Sequence, residues 1–336
     1  MRYIGGKSKM IQHIIDVIAE HTYDVNTITD IFSGSGIVAC TLKAHNFSIT
    51  ANDLLYFSYA INRGTLCNNR TTRRIHELIQ YLNNLPVVQA DPHDPNNFIA
   101  YNYSPNGISN RMYFQQNNAL KIDVIRQEIE HLHAELTENE YFYLLASLLK
   151  AVPYVANITG TYAAYLKYWD VRTYKTLSLE ELPITASRRR CRAFNMAAEE
   201  LATRIRTDLV YIDPPYNSRE YLPNYHILET IARYDYPEIN GVTGMRANND
   251  CKSDFCKKNK VHDAFQTLLH NLNCRYILIS YNNEGLISTE VLESIIKDNG
   301  NPNTFQLFEY NYRRYKSKIP NNAEGLKEQL YFIQKA

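Results

Sequence analysis

The 336-residue sequence has no hydrophobic run that approaches the roughly 18–20 residues of a membrane-spanning helix, and no signal peptide opens it. It also lacks an excess of either charge, since 36 Lys and Arg residues against 35 Asp and Glu residues leave a net charge of +1. Many nucleic-acid binders are strongly basic, so a nucleic acid would have to be bound through local clusters of charge. The six cysteines are scattered, which is typical of a reducing cytoplasm and argues against a disulfide-bonded secreted domain.

The composition is that of a globular protein, with 45% hydrophobic and 21% charged residues. The length predicts one large domain or two modest ones, with ample material for a core. A zinc site is not predicted, because Cys251, Cys256 and His262 have no tidy fourth ligand and do not show the spacing of a common zinc finger.

The most informative stretch is Asp213-Pro214-Pro215-Tyr216, which follows the apolar run 209–212. The run predicts a buried strand that ends at two prolines. A carboxylate, a rigid backbone and an aromatic ring then lie together at the carboxyl edge of a sheet, where open α/β folds bind ligands. The carboxylate of Asp213 and the carbonyl of Pro214 can accept the hydrogens of an exocyclic amine, and the Tyr216 ring can stack on the attached base. The alternative for these four residues alone is an Asp cap followed by a proline turn.

A second motif lies far upstream, where residues 27–32 predict a short strand and a Ser-Gly-Ser-Gly turn follows at 33–36. Such a turn lets the backbone approach a cofactor closely and aims the N–H groups of the next helix at it. Asp53 follows a second apolar run and can accept both hydroxyls of a ribose. NAD and S-adenosylmethionine both carry a ribose, so these residues do not choose between them.

Together these motifs resemble an N6-adenine DNA methyltransferase of the D12 (Dam-like) class. The stretch 213–216 is similar to the catalytic motif of that class, 30–36 to its cofactor loop, and 2–9 to the amino-terminal motif that closes over the methionine part of the cofactor. The order of the motifs, with a long insert before the catalytic one, is also that of the family. Further similarity, to the FokI-methylase-like branch that accompanies type IIS restriction systems, lies at 217–229, 276–285 and 314–317.

The resemblance implies an α/β fold, in which the Rossmann-like sheet of S-adenosylmethionine-dependent methyltransferases carries an inserted, largely helical target-recognition domain. The first part of the catalytic domain, with the cofactor motifs, is expected at 1–66. The second part, with the catalytic motif and DNA-side loops, is expected at 185–336. The insert is expected at 67–184, a stretch that is too long for a loop.

The same resemblance implies S-adenosylmethionine as the cofactor, S-adenosylhomocysteine as the product, and no metal. Lys7 is expected to meet the cofactor carboxylate, Asp30 its amino group and Asn195 its adenine. Tyr3 and Phe32 are expected near the sulfonium, because an aromatic face attracts a cation. The residues expected to bind the cofactor are Tyr3, Lys7, Asp30, Phe32, Gly34, Ser35, Gly36, Asp53, Asn195 and Asp213. The expected catalytic residues are Asp213, Pro214, Pro215 and Tyr216.

The implied reaction is methyl transfer to adenine N6 at a specific site in double-stranded DNA, with the target base flipped out because it cannot be reached inside the duplex. The implied setting is the bacterial cytoplasm, where a restriction-modification enzyme protects host DNA and a cognate endonuclease is encoded nearby. Cytosine N4 and protein-glutamine methyltransferases are alternatives, although they usually show Ser or Asn in place of Asp213. An rRNA adenine methyltransferase and a non-catalytic DNA-binding subunit are further alternatives, whereas a nicotinamide dehydrogenase would explain the glycine turn but not 213–216.

Local basic clusters provide the expected DNA contacts. The cluster at 313–318 is the strongest of them, because it alternates with Tyr310, Tyr312 and Tyr315 in a strand-like pattern. The expected DNA-binding residues are Arg313, Arg314, Tyr315 and Lys316.

We expect Arg314→Ala to weaken DNA binding and to reduce the slope of log affinity against log salt concentration by about 1, because a lost phosphate contact releases fewer counterions. Fluorescence anisotropy titrations of a labelled duplex at several salt concentrations would measure both quantities. An unchanged salt slope would remove Arg314 from the DNA interface.

Overall fold

A computed structural model of the chain describes residues 6–88, 90–247, 252–311 and 325–335. The strands are β1 (Thr27–Asp30), β2 (Ser48–Asn52), β3 (Arg192–Phe194), β4 (Leu209–Ile212), β5 (Ile239–Asn240), β6 (Met245–Arg246), β7 (Tyr276–Asn282), β8 (Gln306–Asn311) and β9 (Lys327–Gln334). The helices are α1 (Ile11–His21), α2 (Ile37–Ala44), α3 (Tyr56–Thr65), α4 (Arg73–Asn84), α5 (Phe98–Tyr103), α6 (Gln116–His131), α7 (Glu138–Ala151), α8 (Ala198–Ala202), α9 (Leu222–Arg233), α10 (Val261–Asn271) and α11 (Thr289–Asp298).

A seven-stranded sheet with the order β3-β2-β1-β4-β7-β9-β8 forms the centre of the fold. The neighbours from β3 to β7 pair in parallel, and β9 pairs antiparallel with both β7 and β8. Strands β5 and β6 form a separate two-stranded sheet. The predicted α/β class, with a methyltransferase-like and mostly parallel sheet, is confirmed.

Helices cover both faces of the central sheet, which explains why its middle strands read as continuous apolar runs. In β4, Val210 and Ile212 face a core that contains α8, α10 and α11, while Leu209 and Tyr211 face a core that contains α1 and α2. All four side chains are at most 1% exposed. The apolar run that the sequence singles out is therefore buried on both sides and ends at the edge of the sheet.

Between α3 and β3 the chain forms α4 to α7 and short 3-10 helices, and it contains no strand in the part of that segment that the structure describes. These helices share a third hydrophobic core with α3 and α9. Glu229 of α9 is fully buried, and its carboxylate accepts the backbone N–H groups of Tyr56 and Phe57 at 3.0 and 2.9 Å. A carboxylate satisfies the unpaired N–H groups of a helix start and complements its dipole, so α9 caps α3. The boundaries at 67 and 184 stay predictions, because the core of the insert continues into the catalytic part.

No helix of the described segments is long and apolar enough to span a membrane.

Gly64 of α3 lies where that helix crosses α7. A Cβ atom at this position would overlap the backbone oxygen of Phe142 and the Cβ atom of Ala146. Gly→Ala inside a helix normally stabilises it by about 1 kcal/mol. We expect the overlap to reverse that sign, so that Gly64→Ala lowers the free energy of unfolding by about 1–3 kcal/mol.

Urea unfolding followed by circular dichroism would measure the effect. Gln80→Ala, on the exposed side of α4, is the control and should change the free energy of unfolding by less than about 0.5 kcal/mol. A more stable Gly64→Ala protein would contradict close packing of α3 on α7.

Candidate active site

A cavity of about 350 Å³ opens at the carboxyl ends of β1, β2 and β4. The strand order places β2 on one side of β1 and β4 on the other, and such a switch point is where open α/β sheets bind ligands. The sequence therefore brings its two distant motifs to one place. Of the predicted site residues, those that line the cavity are Lys7, Asp30, Phe32, Gly34, Ser35, Asp53, Asp213 and Pro215.

The glycine turn has a backbone that only glycine adopts without strain. Gly34 and Gly36 have φ angles of +48° and +77°, in the left-handed region. Asn62 of α3 donates from Nδ2 to Ser33 Oγ at 3.1 Å and to the Gly34 carbonyl at 3.2 Å. A Cβ atom at Gly36 would overlap the Asn62 amide. The turn is thus held from behind by a side chain that the sequence does not single out, and α2 begins directly after it.

Asp53 closes the turn from the other side. Its carboxylate accepts the Gly34 N–H and the Leu55 N–H, both at 2.8 Å. Burial raises the pKa of Asp53 to about 7, although the two N–H donors partly oppose the shift. Asn195 does not line the cavity; its Nδ2 atom donates to the backbone oxygens of Asp53 and Leu54, both at 2.9 Å. Asn195 therefore supports the Asp53 loop, and its contact with a cofactor adenine stays a prediction.

Asp30, the last residue of β1, is 1% exposed. Neither of its carboxylate oxygens has a hydrogen-bond partner of normal geometry among the described residues. Burial raises the pKa of Asp30 well above its usual range, and the charges of Asp213 and Asp53 add to the shift. The backbone N–H groups of Ala39 and Phe32 oppose this shift only in part. A buried carboxylate with so little compensation is costly, so this position is chemically suited to a cationic ligand.

Asp213 belongs to a cluster of polar side chains on the other side of the cavity. The Lys7 ammonium lies 3.1 Å from Asp213 Oδ1 and 2.6 Å from Glu328 Oε1, and it also contacts the Tyr216 hydroxyl. That hydroxyl lies 2.6 Å from Asp213 Oδ1 and 2.8 Å from Glu328 Oε1. Ser280 Oγ donates to Glu328 Oε1 at 3.2 Å. The cluster therefore joins the amino-terminal motif, the catalytic motif, β7 and β9.

The charges of this cluster oppose the effect of burial. Burial alone would lower the pKa of Lys7, but the charges of Asp213 and Glu328 and their hydrogen bonds raise it above its usual value. Burial raises the pKa of Asp213, while Lys7 and the hydrogen bond from Tyr216 lower it in part. Lys7 thus stays charged and favours the ionised form of Asp213.

Gly36, Pro214 and Tyr216 are described by the structure but do not line the cavity. Gly36 precedes α2, and Pro214 is buried between Asp213 and the cavity-lining Pro215. The Tyr216 ring packs edge-to-face against Tyr281 at 5.0 Å and does not line the cavity, so its stacking on a base stays a prediction. The predicted residues that lie outside the described ranges are Tyr3, Arg313, Arg314, Tyr315 and Lys316.

Sequence reasoning missed Asn62, Ser280 and Glu328. Glu328 leaves a weak signal, because it is an acidic residue two positions before the apolar run 330–333, and Ser280 lies in the stretch 276–285 that resembles the FokI-methylase-like branch. Asn62 leaves no such signal. Within the ranges that the structure describes, no group of three or more His, Cys, Asp or Glu side chains could hold a metal ion.

Comparisons with known proteins agree with this geometry. The family model described as D12 class N6 adenine-specific DNA methyltransferase matches residues 3–295. The chain is 41% identical over 345 residues to the type II methyltransferase M.FokI of Planomicrobium okeanokoites, and 38% identical over 346 residues to the modification methylase StsI of Streptococcus sanguinis. These alignments cover 100% of the chain, which spans about half of the relatives, at 53% and 52% of their lengths.

A third relative matches over nearly its whole length. The chain is 34% identical over 344 residues to the type II methyltransferase M.NlaIII of Neisseria lactamica, and this alignment covers 100% of the chain and 99% of the relative.

The raised pKa of Asp53 makes the free energy of unfolding depend on pH. A pKa of about 7 in the folded protein exceeds the value of about 3.9 for an unperturbed Asp, so the fold disfavours the ionised form. We expect the contribution of Asp53 to stability to be lost as the pH rises from about 4 to 7. Relative to Asp53→Asn, the wild type should lose about 3 kcal/mol across that range.

Urea unfolding of both proteins at several pH values would measure this difference. Asp263→Asn, at a carboxylate that is 90% exposed, is the matched control and should differ from the wild type by a constant amount. A difference between the wild type and Asp53→Asn that does not vary with pH would contradict the shifted pKa.

Proposed function

The chain belongs to the D12 class of N6 adenine-specific DNA methyltransferases, and we propose that it transfers a methyl group from S-adenosylmethionine to adenine N6 in double-stranded DNA. One observation carries the proposal: the glycine turn and Asp213 line the same cavity. A methyl donor bound at the glycine turn would face an amine bound by Asp213.

The cavity has the groups that S-adenosylmethionine needs. The carboxylate of Asp30, which has no partner of normal geometry among the described side chains and backbone groups, fits the ammonium of the methionine part. Asp53 fits the ribose hydroxyls, and Phe32 lines the cavity where an aromatic face can meet a sulfonium. The turn at 33–36 allows close approach of the backbone. Lys7 is already engaged by Asp213, Glu328 and Tyr216, so we assign it to the catalytic cluster rather than to the cofactor carboxylate.

When bound, S-adenosylmethionine supplies a methyl group that its sulfonium already activates. The task of the protein is to prepare the adenine, whose N6 lone pair is delocalised into the ring. Asp213 and the Pro214 carbonyl would accept both N6 hydrogens, so that the nitrogen becomes pyramidal and its lone pair points at the methyl group. Asp213 also stabilises the positive charge that develops on N6 and accepts the departing proton. This mechanism is chiefly positioning and electrostatic stabilisation.

The DNA target requires further parts of the chain. The adenine must be flipped out of the duplex, and the Tyr216 ring is proposed to stack on it. We propose that the helical insert recognises the target sequence and that the basic cluster at 313–316 binds phosphates. The relatives are named as type II methyltransferases or modification methylases, which supports protection of bacterial host DNA beside a cognate endonuclease.

The carboxylate of Asp213 provides the direct test. We expect Asp213→Asn to leave the affinity for S-adenosylmethionine largely unchanged and to lower turnover by about 100- to 1,000-fold, because one positioned electrostatic group is lost. Incubation with radiolabelled S-adenosylmethionine and mixed-sequence duplex DNA, followed by nucleoside analysis, would measure turnover. Calorimetry would measure cofactor affinity.

Asp263→Asn, the same change at an exposed position of α10, is the control and should keep wild-type turnover. Label in N4-methylcytosine, or no label in DNA, would contradict the proposed function. Near-normal turnover of Asp213→Asn would contradict only the role of Asp213.

A further inference from the structure

We propose that Glu328 is a positioning residue of this active site, which holds Lys7 and the Tyr216 hydroxyl against Asp213 and thereby tunes the strength of Asp213 as a hydrogen-bond acceptor. This inference rests on the proposed function, since it assigns a role within the same reaction.

The position of Glu328 follows from the direction of β9. That strand runs antiparallel to β7, with Asn282 opposite Glu328 and Ser280 opposite Leu330. The beginning of β9 therefore lies at the carboxyl edge of the parallel strands, where Asp213 also lies. The rest of β9 is apolar from Leu330 to Ile333 and is buried in the sheet.

Glu328 is 4% exposed, and a buried carboxylate destabilises a fold unless it is paired and hydrogen-bonded. Its Oε1 atom lies within 2.6 Å of the Lys7 ammonium, 2.8 Å of the Tyr216 hydroxyl and 3.2 Å of Ser280 Oγ. The distance from Lys7 to Glu328 is shorter than the 3.1 Å from Lys7 to Asp213. Glu328 is thus the closer of the two carboxylates that position the ammonium.

The shared partners link the charge of Glu328 to that of Asp213. The Tyr216 hydroxyl has one hydrogen, so it can donate to only one of the two carboxylates at a time. The Lys7 ammonium likewise contacts both carboxylates. Without the charge of Glu328, Lys7 and the Tyr216 hydroxyl would interact with Asp213 alone. Asp213 would then be a weaker acceptor for the N6 hydrogens and the departing proton.

Several neighbouring groups shift the pKa of Asp213 in directions that follow from their charges. Burial raises its pKa, Lys7 and the Tyr216 hydrogen bond lower it, and the charge of Glu328 raises it. Asp30 faces the same cavity, and the charges of Asp30 and Asp213 are close enough to affect each other. The hydroxyls of Tyr211 and Tyr221 also lie within electrostatic range of Asp213. Removal of the Glu328 charge alone should therefore lower the pKa of Asp213.

Glu328→Gln tests the role, with kcat and KM measured as a function of pH in the methyl-transfer assay. We expect kcat to fall by about 10- to 100-fold while KM for S-adenosylmethionine and for DNA changes by less than about threefold. We also expect the acidic limb of the kcat/KM profile to move to lower pH by about 0.5 or more. A purely structural loss would lower activity without moving that limb.

Glu309→Gln is the matched control. Glu309 is on β8, and its carboxylate pairs with Lys327 at 2.6 Å on the protein surface, so this variant should keep the wild-type pH profile. Glu328→Asp keeps the charge but shortens the side chain. We expect it to lower kcat while the acidic limb stays near its wild-type position, so that a moved limb in Glu328→Gln is due to the lost charge. If Glu328→Gln does not fold in a thermal unfolding assay, wild-type kcat in Glu328→Asp still overturns the role.

An unmoved acidic limb in folded Glu328→Gln, or wild-type kcat in Glu328→Asp, would overturn the role of Glu328 while the methyltransferase assignment stands. A wild-type protein that transfers no methyl group to DNA would instead overturn the proposed function, and this inference with it.

Discussion

The candidate active site depends on one buried ammonium group. Lys7 joins Asp213 at the end of β4 to Glu328 at the start of β9, and these residues are separated by up to 321 positions in the chain. Two buried carboxylates this close would repel each other, and each would tend to take up a proton. The ammonium of Lys7 offsets this repulsion, and its charge partly opposes the rise that burial causes in the pKa of Asp213. Lys7, in the segment before α1, is therefore part of the candidate active site.

The cavity as a whole is acidic, because Asp30, Asp53 and Asp213 all line it. Lys7 compensates the charge of Asp213, while Asp53 is stabilised by backbone N–H groups. The carboxylate of Asp30 accepts no hydrogen bond of normal geometry from the described residues, and the N–H groups of Ala39 and Phe32 only partly offset its burial. The site thus favours a ligand that carries positive charge. This preference agrees with a sulfonium cofactor that also bears an ammonium group.

Much of the fold follows from local sequence. The stretch 27–32 and the apolar run 209–212 predict β1 and β4, and the resemblance to the D12 class is confirmed. The convergence of the two motifs follows from the rule that parallel strands place their carboxyl ends at one edge. Glu328 and Asn62 could not be predicted, because their roles depend on the register of β9 and the packing of α3. The orientation of the Lys7 side chain likewise depends on Glu328, its partner in β9.

The cap that α9 places on α3 has a consequence for engineering. Glu229 lies in α9, the first helix after the catalytic motif, whereas Tyr56 and Phe57 lie in α3, which follows Asp53. Both helices contribute side chains to the core of the insert. A transplanted insert would therefore leave the apolar surfaces of α3 and α9 without their packing partners. The smallest unit that can be exchanged between relatives with its core intact comprises the insert together with both flanking helices.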